Sequence, residues 1–209
     1  MKRTAFSLVE LLVVLAILSI LAALLVPAFW SAQGRARQVS CESNLHQIGT
    51  SIQMYMQDSD GHYPYAVDPV DRAYPALWPA PFQLEVPHLP LIQDALHPYS
   101  PSQALYRCPA DIGYDISDFL SLSMNAFPTS YEKYGTSYYY RTEVAASKAT
   151  ESAVVYPDKI NLVMDGAGHW HGTLLPLAKR YNVLFADGHV KNITYDDIAS
   201  AWQTPLTGS

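Results

Sequence analysis

No charged side chain occurs between Leu11 and Gly34 of this 209-residue chain. Inside that stretch, Leu11–Trp30 is a 20-residue apolar run whose one hydroxyl is Ser19 and whose one helix breaker is Pro27. As a helix it rises about 30 Å, the thickness of a bilayer core. Lys2 and Arg3 precede it, so the positive-inside rule keeps the first residues cytoplasmic and places the body of the chain across the membrane. Glu10 stands at the start of the run, where a carboxylate is expensive and calls for a partner. The composition follows this segregation. The chain is 49% apolar and 15% charged, and residues 1–30 alone hold 23 apolar residues. After Trp30 there are 11 basic and 18 acidic residues. That acidic body excludes a general nucleic-acid binder, which needs lysine and arginine against phosphate.

Three readings of the N-terminal block compete. A secretory signal peptide has a shorter apolar core and a small-x-small cleavage site. The run here is longer, and Ala32 and Gly34 make a poor site. A plain anchor fits the length but leaves Glu10 unexplained. The third reading accounts for Glu10. A short basic leader, then Phe6-Ser-Leu-Val-Glu10, then the apolar run resembles the N-terminus of type IV prepilins and type II secretion pseudopilins. The resemblance implies that a dedicated peptidase cuts between Ala5 and Phe6, that Phe6 is then N-methylated, and that Glu10 and Pro27 serve assembly. Ala5 departs from the glycine that the family carries before the cut. In a filament, such helices pack side by side in a water-poor core. An unpaired Glu10 there would cost several kcal/mol. The amino group of Phe6 on a neighbouring subunit is its natural partner, and such a pair fixes axial register.

Beyond Trp30 the helical pattern continues. No proline occurs from Ser31 to Gln57, and Cys41, Leu45, Ile48, Ile52 and Tyr55 step by four, three, four and three. That is one apolar stripe, with Arg35, Arg37, Gln38, Glu42 and Asn44 on polar faces. The pattern predicts one helix from Phe6 to about Gln57, with Pro27 bending or loosening it. Gly34 and Gly49 leave open two helices instead. The resemblance implies a stalk with a C-terminal head covering the stripe. The expected organisation is a leader at 1–5, a transmembrane and filament-core helix at 6–30, an amphipathic continuation at 31–57 and a globular head at 58–209. The fold class is α+β, a long N-terminal helix with a small antiparallel sheet packed on its second half.

Asp60-Gly61 and Tyr63-Pro64 are helix-exit signals. Asp58 and Asp60 lack the full ligand spacing of an EF-hand calcium loop and read as turn residues. Ten of the 15 prolines fall between Pro64 and Pro109, which predicts irregular structure with a short helix near Leu89–His97. Thr136–Thr142 and Lys159–Met164 read as strands. Tyr181–Ile193 reads as a hairpin with a type I′ turn at Asp187-Gly188, and Tyr195–Trp202 as a closing helix. The segment Asn182–Val190 also resembles the end of prepilin-like proteins that carry a histidine, nine residues, then Asp-Gly. Here Leu177 occupies the histidine position, so that half is missing or displaced to His171. Cys41 and Cys108 are the two cysteines. In the oxidising space beyond the membrane they can bridge, pinning the wrapping segment to the stripe, or stay as buried thiols.

Asp165, His169, His171, Asp187 and His189 lie close in sequence, and His-x-His with carboxylates can bind a divalent metal. The glycines beside them read equally well as turns, so no metal ligand is assigned and no cofactor is expected. The resemblance admits a divalent ion such as calcium in a head loop without naming its residues. The 15 tyrosines, all from Tyr55 onward, make either a contact surface or the core of a small sheet. No nucleophile elbow, phosphate loop or cofactor fingerprint occurs. The expected function is therefore structural and non-enzymatic, a subunit of a type II secretion or type IV pilus-like filament. Its implied partners are other pilin-like subunits, identical or different, a prepilin peptidase, an assembly platform and the membrane. Its implied location is the bacterial cytoplasmic membrane, single-pass with a cytoplasmic N-terminus, and then a periplasmic or cell-surface filament. The alternative is a membrane-anchored binding protein or metal-dependent enzyme that does not polymerise.

Overall fold

The computed structural model describes residues 8–175 and 178–207. Ala5, Phe6 and Leu177 lie outside the described residues. The element order is α1 (Leu8–Asp58), α2 (Pro69–Ala73), α3 (Phe82–Glu85), α4 (Ile92–Ala95), α5 (Ser130–Tyr134), β1 (Tyr138–Tyr140), α6 (Glu143–Ala146), β2 (Asn161–Asp165), β3 (Arg180–Phe185), β4 (Val190–Thr194) and α7 (Tyr195–Gln203). Short 3₁₀ turns connect several of them. The long first helix and the small antiparallel sheet are the α+β layout expected from the sequence. The chain divides into two units, Met1–Ala36 and Arg37–Ser209.

In the first unit every described residue is helical and exposed. Pro27 lies inside α1, which does not end there. The hydroxyl of Ser19 donates to the carbonyl oxygen of Leu15 at 2.7 Å, so it needs no water.

In the second unit, α1 contributes one buried face. Cys41, Leu45, Ile48 and Ile52 are buried as the stripe predicts. Tyr55 is half-buried, and Met56 takes the next core position instead. The two-helix alternative is not adopted, because α1 is continuous through both Gly34 and Gly49. Gly49 has a packing role. A Cβ there would lie 3.0 Å from Cδ1 of Leu184, so its absence lets β3 close onto the helix. The helix ends with Asp60 at φ 50° and Gly61 at φ 78°, and the N–H of Gly61 donates to the Met56 carbonyl at 2.8 Å. Asp58 accepts from the Tyr99 hydroxyl at 3.1 Å. Asp60 thus takes the expected turn role, while Asp58 ties the helix end to the loop at Tyr99.

Pro64–Pro109 wraps as irregular chain and short helices, with α2 and α3 in addition to the expected one near Leu89. The sheet is a meander of order β1-β2-β3-β4, antiparallel throughout. Every residue of β1 and β2 is buried, so these two strands lack alternation. The β3–β4 turn differs from the type I′ expectation. Gly188 takes φ 89° but Asp187 does not share a positive φ. Phe185 accepts from the N–H of Gly188 and donates its own to His189, each at 2.9 Å. A three-residue loop ending in a left-handed glycine therefore replaces the two-residue turn. Thr194 then starts α7 through a capping box with Asp197.

Seven of the 15 tyrosines are buried, and Tyr156 alone is exposed. The buried tyrosines thus help to build the core around the sheet. Two substitutions test the packing. Gly49→Ala should shift the melting temperature little, because about 1 kcal/mol of helix propensity offsets a contact with a flexible leucine tip. Gly49→Leu should destabilise by about 1–3 kcal/mol by overpacking against Leu184. Equal melting temperatures for the two variants in thermal unfolding would refute this account.

Candidate functional site

Two features carry chemistry or assembly potential, one in each unit. The first is the apolar part of α1. An 18-residue window within it reaches a mean hydropathy of 3.0, and none of it is buried. Side chains on all sides are open, from Leu8 at 74% and Val9 at 64% to Phe29 at 65% and Trp30 at 68%. An apolar surface of this extent marks membrane or protein contact. Glu10 and Pro27 lie on this exposed helix.

The second feature surrounds the cysteines. Cys41 of α1 and Cys108 of the wrapping segment are bonded, with Cα atoms 5.1 Å apart. The Cys108 backbone N–H donates to Ser137 Oγ at 3.0 Å, and that hydroxyl donates to Asp111 at 2.6 Å. Asp111 also accepts backbone N–H groups from Gly113, Ser130 and Tyr131. It holds the Cys108 loop against β1. Asp111 and Ser137 carry no periodic signal. The hint was an aspartate three residues after Cys108, where a turn closes from Asp111 N–H to the Cys108 carbonyl.

The sequence-proposed metal residues separate into three places. Asp187 and His189 pair at the exposed hairpin tip, 2.6 Å apart, with His189 stacked on Phe185. His169 sits near Asp118, which binds Lys179, the Tyr181 hydroxyl and the Gly168 N–H. Asp165 and His171 come together, 3.5 Å apart, beside the disulfide. Asp165 is no turn residue. It ends β2, is fully buried and accepts the Asn182 N–H at 2.7 Å. Burial raises its carboxyl well above the usual range and lowers the His171 imidazole to about 4. Among the described residues, Cys41, Cys108, Asp165 and His171 are the group close enough to share a metal ion. Its sulfur and nitrogen donors do not suit calcium, which takes oxygen ligands.

Residues 1–26 match the model of the prokaryotic N-terminal methylation motif. The start of the chain therefore carries a prepilin-type N-terminal motif. The chain is similar to the type IV major pilin protein PilA of Myxococcus xanthus (strain DK1622), at 32% identity over 65 residues, 31% of this chain. The match spans 30% of that relative's length. No solved structure matches the chain.

The head also buries charge away from the disulfide. Arg141 is 4% exposed and ties α7 to the sheet. Its guanidinium donates to Asn161 Oδ1 and to the carbonyls of Ala201, Trp202 and Thr204 at 3.0–3.2 Å, and lies over the Trp202 ring. Asp68, Asp71 and Glu143 line a nearby cavity of about 400 Å³. Burial raises all three carboxyls, and for Asp68 the neighbouring Asp71 adds repulsion. Raised carboxyls favour the folded state when protonated, and this contribution is lost as pH rises through their folded values.

Three outcomes follow for the head. Without reductant, mass spectrometry after alkylation should find no modified cysteine. Removing the bond by Cys41→Ala with Cys108→Ala should cost about 4 kcal/mol, the chain-entropy value for a loop of this length. Asp68→Asn keeps the acceptor for the Asp71 N–H, 2.8 Å away, while removing the buried charge. Its melting temperature should exceed wild type at neutral pH, with the gap closing toward about pH 4. A gap independent of pH would refute the assignment of buried charge at Asp68.

Proposed function

We propose that this chain is a structural subunit of a type IV pilus-like or type II secretion filament. It is held in the cytoplasmic membrane by the apolar part of α1, with its N-terminus on the cytoplasmic side. A prepilin peptidase, a separate enzyme, cuts between Ala5 and Phe6. An assembly platform then transfers the subunit from lipid into the filament, where α1 packs among other pilin-like subunits. The chain itself contributes packing and no catalysis.

The observation that carries this reading is the apolar exposure on every side of α1 from Leu8 to Trp30. Each large aliphatic side chain there gains about 1.5–3 kcal/mol on leaving water. An anchor needs that surface only for lipid. Glu10, placed in the first turn of the described helix, supports the filament. In a packed core it needs a cation, and the Phe6 amino group of a neighbour supplies one at defined height. Pro27 removes one backbone donor mid-helix and lets α1 adjust when it changes environment.

The test is N-terminal sequencing of protein taken from a membrane containing an active prepilin peptidase. The expected first residue is methylated Phe6. An intact Met1 would leave the plain anchor. Glu10→Ala should lower filament yield at least about tenfold, equivalent to 1.4 kcal/mol, while the head keeps its melting temperature. Undiminished filaments would remove the role assigned to Glu10.

A further inference from the structure

Four metal-ligating side chains meet inside the head from separate parts of the chain. The ligand atoms of Cys41, Cys108, Asp165 and His171 all lie within 4.8 Å of one another. Cys108 Sγ is 3.3 Å from His171 Nε2, and that nitrogen is 3.5 Å from Asp165 Oδ2. The cluster is sealed. Exposure is 0% for Cys41 and Asp165, 1% for Cys108 and 1% for the His171 side chain. Asp165 Oδ1 has no hydrogen-bond partner. A disulfide by itself requires neither an imidazole nor a carboxylate, and burying both is costly unless they are used.

We propose that the disulfide is one of two ways of closing this cluster, and that the reduced chain closes it by binding one zinc ion through Cys41, Cys108, His171 and Asp165. The donor set is borderline-soft and suits zinc. Tetrahedral zinc, with bonds of about 2.0–2.3 Å, spaces its ligand atoms about 3.3–3.8 Å apart. The Cys108–His171 and His171–Asp165 separations already have that spacing. The two sulfurs, bonded in the structure, must part, and the remaining ligand atoms, all within 4.8 Å of one another, settle to the same spacing. The supports of a metal site are in place. Asp165 is oriented by the Asn182 N–H, and the Cys108 backbone by Ser137 and Asp111. Every chain passes through a dithiol state before its bond forms, and in that state zinc would hold the wrapping segment on α1. Oxidation would then release the metal. This inference does not rest on the filament reading.

The test uses the full chain in detergent, reduced by a trialkylphosphine without air. In that step the S–S bond breaks, phosphorus takes the oxygen of one water to give the phosphine oxide, and the two sulfurs take its two hydrogens. Zinc added next displaces the two thiol protons to solvent. The expected result is one zinc per reduced chain and none per oxidised chain. Cobalt(II) in its place should show tetrahedral visible bands with thiolate charge transfer. His171→Ala and Asp165→Asn should each weaken binding at least about tenfold. No stoichiometric binding, equal binding by the oxidised chain, or indifference to both substitutions would overturn the proposal. If the reduced chain is unfolded without metal, zinc must restore its circular dichroism, and failure to do so overturns it equally.

Discussion

A helix with apolar side chains down one face must be covered, and the head exists to cover α1 from Cys41 to Met56. Everything after Asp58 is arranged by that need. Gly49 sets how closely β3 approaches, the Cys41–Cys108 bond fixes where the wrapping segment crosses, and Asn44 bonds the Arg107 carbonyl and the Tyr138 hydroxyl at the edge of the stripe. The head adds tyrosines to the aliphatic side chains of its core, among them Leu96, Ile160, Val163 and Leu184. The tyrosine hydroxyls then need partners, and several find backbone carbonyls, as Tyr140 does at Pro64 and Tyr134 at Met124.

Buried polar groups do the remaining work of fixing one structure. Asp111 gathers the N–H groups of one loop, Asp118 gathers Lys179, Tyr181 and Gly168, and Arg141 collects the carbonyls at the end of α7. Each replaces a missing element of regular structure by satisfying backbone groups that would otherwise be buried unpaired. That is why a head with so few strands and so many prolines folds to a defined arrangement. Long-range disulfide closure contributes in the same direction by limiting the unfolded chain.

Much of the fold was legible because it follows from periodicity. The charge-free run, the four-three spacing from Cys41 to Ile52 and the Asp-Gly at 187–188 each report a local property of the chain. The misreadings share a cause. Tyr55 fits the stripe by spacing, but its hydroxyl keeps it at the edge while Met56, which has none, goes inside. The type I′ turn was inferred from two residues, whereas loop length was set by where β3 and β4 pair. Asp165 precedes a glycine and reads as a turn, yet strand pairing with Tyr138 buries it.

The sequence by itself determined the nature of α1, since a membrane-length apolar helix bounded by Lys2, Arg3 and Glu10 is a matter of composition and order. It also determined that Cys41 faces inward. Tertiary structure alone decided what meets Cys41 there. Cys108, Asp165 and His171 are far apart along the chain, and no pattern in their neighbours encodes their convergence. It arises because the wrapping segment, the end of β2 and the turn after it must all close over the same stretch of stripe.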